Sequence, residues 1–171
     1  MKTSPDITDG AACAAPPRRA SPDTRPGRVW VLPGGPGCAG FARHTLADAL
    51  SPLRVSQEVI ADAQLMVSEL ATNVYQHADD HGPHELWFDP GDEDAEEAHC
   101  AVFDAFADAG LPGYSWTSGD CGRGLSIVRE LSVGRWGVLR TRSRTEPFVL
   151  GKAVWFAVPM HGLAEPPFPL S

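Results

Sequence analysis

Between Val55 and Asp79, apolar residues return every three or four positions: Val55, Val59, Ala63, Met66, Leu70 and Val74. That period lines them up along one side of an α-helix about seven turns long. Such a stripe must be buried against a second layer, so the rest of the chain has to supply that layer. Gly82 and Pro83 follow as a stop signal. With 171 residues, the chain can build one sizeable core without metal or disulfide staples.

The remaining segments read as the partner layer. Arg28–Leu32 (RVWVL) suits a first strand; a glycine-rich turn and a helix over about Phe41–Leu50 follow, closed by Ser51-Pro52. Strands are expected at His84–Phe88 and Ala98–Asp104, with the acidic run Asp89–Glu97 as a solvated hairpin tip. After a loop-like stretch, a helix fits Gly124–Leu131, and two strands close the chain at about Arg135–Thr141 and Phe148–Val158. This order does not alternate as a doubly wound fold would. It predicts an α+β, two-layer α/β sandwich, with helices on one face of a mixed, mostly antiparallel sheet. The expected domain is 28–159. A Pro-rich arm over 1–27, with too little apolar surface to offset its ordering entropy, precedes it, and a Pro-rich tail over 160–171 follows.

Bulk properties narrow the function. A net charge of -8 disfavours nonspecific nucleic-acid binding, which depends on basic residues neutralising phosphates. Cys13, Cys38, Cys100 and Cys121 are scattered without CxxC spacing, so reduced thiols are expected rather than a disulfide framework or a zinc site. The first residues lack the apolar run of a signal peptide, and no stretch is long and apolar enough to span a bilayer. A cytoplasmic location is expected.

Gly35, Gly37 and Gly40 spell GxGxxG after a strand, as in a dinucleotide-binding turn. The second parallel strand and its terminal acid are missing; Glu58, near the required spacing, lies in the long helix. A flexible connection accounts for these glycines. No Walker-type GxxxxGK[ST] is present. More informative are Glu69, Asn73 and His77, at i, i+4 and i+8 on the long helix beside its apolar stripe. An Asn amide oxygen is a hard ligand acceptable to magnesium, and a Glu can take a proton from an attacking group. Taken alone, the helix is better explained by an ordinary polar stripe. Asp104, where a strand leaves the sheet, could accept a hydrogen bond from an exocyclic amine, although many strands end in Asp. In Gly122-Arg123-Gly124-Leu125, two glycines before a helix allow close approach to a phosphate.

The ordered combination resembles the anti-sigma-factor serine kinases, a group within the histidine kinase-like ATPase superfamily (Bergerat fold) that includes gyrase and mismatch-repair ATPases. ELATNVYQHA (Glu69–Ala78) is similar to that group's N box and GRGLSIV (Gly122–Val128) to its second glycine box. The strands containing Arg135-Trp136-Gly137 and Gly151-Lys152 resemble its C-terminal signatures. The resemblance spans Arg28 to Pro159. It implies Glu69 as general base and Asn73 as Mg2+ ligand. Asp104 would recognise adenine, Gly122 and Gly124 would form the phosphate-facing turn, and Arg123 and Leu125 would complete the nucleotide-binding set. Residues Gly113 to Cys121 would form a short lid over ATP.

One motif departs from that pattern. Where the group has DxGxG, this chain reads Asp104-Ala-Phe-Ala-Asp108, without either glycine, and Asp108 competes with Asp104 for the adenine role. The resemblance implies a Mg-ATP-dependent protein serine/threonine kinase acting on an anti-sigma-factor antagonist, with a sigma factor as a second partner. A non-catalytic module sequestering a sigma factor or another regulator is the alternative, and plain ATP hydrolysis is a weaker one. Relatives in this group often form homodimers. Two further clusters are minor candidates: His77, His81 and His84 for a transition metal, and Arg140, Arg142 and Arg144, alternating along a strand, for an acidic partner.

Overall fold

The computed structural model describes residues 27–78, 82–105 and 120–160, with the side chains of 77, 78 and 120–124 left undescribed. The expected arm, lid and tail, together with Asp108 and His81, lie outside or almost wholly outside these residues. The elements are β1 (Arg28–Val31), α1 (Cys38–Leu50), α2 (Gln57–Ala78), β2 (Glu85–Asp89), β3 (Glu97–Asp104), α3 (Asp120–Leu131), β4 (Trp136–Arg142) and β5 (Leu150–Pro159). They form an α+β structure with three helices and one five-stranded sheet in the order β1-β2-β3-β5-β4.

Every described pairing is antiparallel, where a mixed sheet was expected. The reason lies in β5. Strands β3 and β4, joined through α3, run parallel to one another, but β5 returns from β4 as a hairpin and inserts between them. It pairs antiparallel with both.

Local signals account for the helix limits. Ser56 caps α2, its Oγ accepting the Val59 N–H at 3.3 Å, so the helix starts at Gln57 rather than Val55. Helix α1 begins at Cys38, three residues before the expected Phe41, which takes Gly40 into its first turn. The GxGxxG stretch is thus a short turn, with Gly35 at φ +82°, leading from a strand whose neighbour is antiparallel. Helix α3 ends in a Schellman motif: Gly134 N–H returns to the Arg129 carbonyl and Val133 N–H to that of Glu130. Val133 takes the left-handed position, at φ 54°.

Strand periodicity divides the sheet into two faces. Leu86, Phe88, Ala98, Cys100, Val102, Val154, Phe156 and Val158 point to the helices. They pack with Ala42, Leu46 and Leu50 of α1, with Ala63, Met66, Val67, Leu70, Ala71 and Val74 of α2, and with Leu125 and Val128 of α3. The stripe that opened the sequence reading lies in this core, over β3 and β5. Each fully buried Leu, Val or Met side chain contributes about 1.5–3 kcal/mol. Burial also pushes the Cys100 thiol up, which leaves it a protonated, inert packing group.

The opposite face carries its own apolar cluster: Trp87, Ala101, Phe103, Ala153, Trp155 and Ala157. Trp87 stacks on Phe103 at 5.4 Å. At its edge Glu85 is wholly buried, at 0% exposure. Its carboxylate accepts hydrogen bonds from Trp87 Nε1 (2.6 Å), the backbone N–H groups of Arg144 (2.8 Å) and Thr145 (3.0 Å), and the Thr145 hydroxyl. The loop after β4 is thereby bound to β2, with the Arg144 guanidinium 4.1 Å over the Trp87 ring. Arg144 therefore does not continue the face of Arg140 and Arg142, as its alternation suggested. The strand ends at Arg142, and the loop turns Arg144 onto the other side of the sheet.

Two outcomes follow from this face. Glu85→Gln would leave a single acceptor oxygen and an NH2 group among the donors that Glu85 satisfies. Its cost should be on the order of 2 kcal/mol in urea unfolding; an unchanged midpoint would contradict the clamp. His99 sits edge-on to Trp155 and near Glu97, Asp89 and Arg135. Desolvation holds its pKa below the ordinary 6.5, against the raising influence of Glu97 and Asp89. As pH falls below about 6.5, the unfolded chain binds a proton that folded His99 resists, so this contribution to stability declines on acidification. The stability of wild type relative to His99→Gln should therefore drop between pH 7 and pH 5, and a pH-independent difference would refute the assignment.

Candidate functional site

Asp104 is the last residue of β3 and shares its parity with Ala98, Cys100 and Val102, so it points to the helix side of the sheet. Only 5% of the residue is exposed. Directly across the ladder stands Lys152 of β5, its Nζ 3.7 Å from Asp104 Oδ2. Both side chains are largely buried, which makes this pair unlike a surface ion pair. Its Coulomb attraction is barely screened, and separating the partners would strand a desolvated charge.

Gly151 makes the close approach of β3 and β5 possible here. A Cβ on it would overlap the Asp104 carbonyl oxygen and the edge of the Phe103 ring. Gly151 is required for its lack of a side chain rather than for an unusual backbone conformation, since it is not among the positive-φ glycines.

Glu69 and Asn73 are half-buried on α2. The opposite flank of this helix faces α1, as two contacts show. Arg43 Nη1 donates to Ser68 Oγ at 3.1 Å, and Gln64 Nε2 donates to the Arg43 carbonyl at 3.3 Å. With 100° per residue, Glu69 and Asn73 lie on the other side of the buried stripe, and the other helical neighbour of α2 is α3. Neither side chain hydrogen-bonds within the described residues, so their oxygens remain able to accept a ligand.

Helix α3 begins at Asp120, four residues before the expected Gly124. Gly122, Arg123 and Gly124 therefore lie within its opening turns instead of in a turn ahead of it. By position, Gly122 keeps an N–H outside the i→i−4 ladder, whereas those of Arg123, Gly124 and Leu125 fall within it. Leu125 is 6% exposed and belongs to the core, so its side chain anchors the helix. The amides free for an anion sit at the very start of α3, and of the expected set only Gly122 is among them.

The helix side of the sheet thus holds Glu69, Asn73, Asp104, Leu125 and the backbone of the second glycine box, together with one residue singled out only as part of a strand signature: Lys152. Its place opposite a strand-end Asp is given by the β3–β5 register. The histidine cluster remains partly outside the described residues. His84 is buried before β2 with neither ring nitrogen hydrogen-bonded among the described residues, while the His77 side chain and His81 are not described. A separate pocket, lined by Gly35, Pro36, Cys38 and Ala39 of the α1 entry and by Thr72, Tyr75 and Gln76 of α2, includes neither Glu69 nor Asn73. Among the described residues, no helix is long and apolar enough to cross a membrane.

Neither the models of protein families nor the curated proteins give a match to this chain.

Gly151→Ala should part β3 from β5 beside the Asp104–Lys152 pair and lower stability by about 1–3 kcal/mol. Chemical unfolding measures it, and a wild-type midpoint would show that the strands absorb the methyl group without displacement.

Proposed function

We propose that this protein is a cytoplasmic Mg-ATP-binding regulator with the histidine kinase-like ATPase fold, a protein serine/threonine kinase whose substrate is an anti-sigma-factor antagonist. The observation that carries the reading is the pair Glu69 and Asn73. They are half-buried on the flank of α2 away from α1, without hydrogen bonds among the described residues, and on the sheet side to which Asp104 points. The two-layer architecture and the start of α3 at Asp120, with Gly122 in its first turn, support it as well.

Each residue has a definite task in this reading. Asp104 accepts a hydrogen bond from the adenine 6-amino group and fixes the base. The start of α3 offers amides and a positive dipole end to the phosphates. Asn73 presents a neutral amide oxygen suited to hold Mg2+, which offsets phosphate charge when bound. Glu69 takes the proton of the partner's Ser or Thr hydroxyl as that oxygen bonds the γ-phosphorus. The bond from the γ-phosphorus to the β–γ bridging oxygen breaks, and ADP leaves. Catalysis of this kind is positioning and electrostatics, which a rigid helix and strand end are suited to supply.

A second reading, a non-catalytic module that sequesters a sigma factor, is favoured by one feature. Phe106 and Asp108 stand in the sequence where the resemblance calls for glycines, and larger side chains there would weaken nucleotide affinity.

Thermal unfolding with and without Mg-ATP, on wild type and Asn73→Ala, tests nucleotide binding first. Ligand at a hundred times its dissociation constant stabilises by about 2.7 kcal/mol. The expected result is a magnesium-dependent rise in Tm that Asn73→Ala abolishes. Labelled ATP with a cognate antagonist should then give phosphotransfer that Glu69→Ala reduces to background. A Tm indifferent to millimolar Mg-ATP leaves the sequestering module standing in its place.

A further inference from the structure

We infer that the outer edge of β4 is a docking site for an extended acidic segment of a partner protein, which adds to the sheet as a further strand. The inference is independent of the nucleotide reading, because it uses neither α2 nor the strand end at Asp104.

In the order β1-β2-β3-β5-β4, the last strand pairs on one side only, with β5. Two bonds of that ladder fix which of its backbone groups remain. Ala157 N–H donates to the Arg135 carbonyl at 2.9 Å, and Ser143 N–H to the Val149 carbonyl at 2.8 Å. Residues 135 and 143 therefore both sit in hydrogen-bonded pairs, and in an antiparallel ladder such pairs alternate with open ones. Gly137, Leu139 and Thr141 direct their N–H and C=O groups to β5, while those of Val138, Arg140 and Arg142 point away from it. Among the described residues no backbone hydrogen bond reaches these outward groups. The edge is also continuous. Its register runs from Trp136 opposite Phe156 to Arg142 opposite Leu150 without a bulge, and its seven residues include no proline.

Such an edge is a template for another strand, and charge is the device that limits what can pair with it. Here the charge has one sign. Arg140 and Arg142 are exposed and share one parity, on the same residues whose backbone groups face outward. Among the described residues neither forms an ion pair; Arg142 donates to the Phe148 carbonyl at 3.1 Å, a bond that leaves its charge uncompensated. In a chain of net charge -8 this is a local basic patch. Carboxylates directly opposite it form favourable cross-strand pairs, and like charges there oppose pairing.

Register then sets the sequence of the partner. In antiparallel addition, the residues opposite Arg142, Arg140 and Val138 follow one another at every second position on the helix side. The first two are acidic and the third apolar. Leu139 lies on the outer face across from Ala153 and is 36% exposed, so the residue opposite it is apolar too. The segment recognised is thus an acid, any residue, an acid, then two apolar residues. Main-chain hydrogen bonds give affinity in this mode, and the side chains give choice.

The test uses the full chain with two end-blocked labelled peptides, one containing Glu-Thr-Glu-Val-Val and the other Lys-Thr-Lys-Val-Val. Fluorescence anisotropy should show the acidic peptide bound about tenfold more tightly or better, with an affinity that falls as salt rises. Arg140→Glu combined with Arg142→Glu should invert the preference. Amide hydrogen exchange followed by NMR should show new protection at Val138, Arg140 and Arg142 when the acidic peptide binds. No binding of that peptide up to millimolar concentration would overturn the inference and leave the arginines as guards of an unused edge. Equal binding of both peptides, or a preference that the double variant keeps, would overturn it as well. Protection of the same amides without peptide, in a chain that light scattering shows to be dimeric, would place a second copy on the edge instead. If the double variant does not fold, the wild-type peptide comparison and the exchange data decide.

Discussion

Burial of the α2 stripe against β3 and β5 is the constraint from which the rest of this structure follows. Met66, Val67, Leu70, Ala71 and Val74 meet Val102, Val154 and Phe156 in one core, and neither side could be left in water without the other. Because β3 and β5 are also the central pair of the sheet, that contact determines which face is covered. The remaining strands add outward from it. Helix α1 on one flank of α2 and α3 on the other complete the layer, leaving the polar positions of α2 at the borders of the core, where a ligand can reach them.

The sheet buries ionisable groups on both faces, and it treats them differently. On the outer face Glu85 is wholly enclosed and gathers donors from Trp87, Arg144 and Thr145, so its desolvation is offset by hydrogen bonds from neutral groups. On the helix face Asp104 is opposed by a cation, Lys152. The first arrangement ties a loop to the sheet and uses its acceptors in doing so. The second places opposite charges side by side at a strand end, across the β3–β5 ladder. That contrast is why the helix face, and not the aromatic outer face, is the one read here as a binding site.

Much of the architecture could be read in the residues. The helical period of α2, the strand segments His84–Phe88 and Ala98–Asp104, and the stop signals at Pro52 and Gly82 give the elements nearly their observed limits. Misplaced boundaries trace to short-range chemistry that periodicity does not capture. Ser56 acts as a cap, and helix α3 extends back to Asp120 through two glycines that propensity alone would place outside it. The expected mixed sheet is antiparallel in every described pairing because β5 comes between β3 and β4, which run the same way. Arg144 was assigned to the wrong face for a similar reason. A strand's alternation holds only while the strand lasts, and this one ends two residues earlier.

The candidate site divides along the same line. Glu69 and Asn73 are four residues apart on one helix, so their common flank is a property of the sequence through the helical repeat alone. Asp104 is legible from local sequence too, as the last residue of an expected strand. Lys152 beside Asp104, Gly151 under the Phe103 ring, and Glu85 bound to a loop roughly sixty positions away were not. Those neighbours are set by strand register, and register is chosen by the packing of the whole apolar face rather than by any local run of residues. The sequence by itself thus determined the elements and the residues that share a helix flank. Only the tertiary structure decided which charges meet across strands, because cross-strand contacts arise when a common core selects one alignment among many.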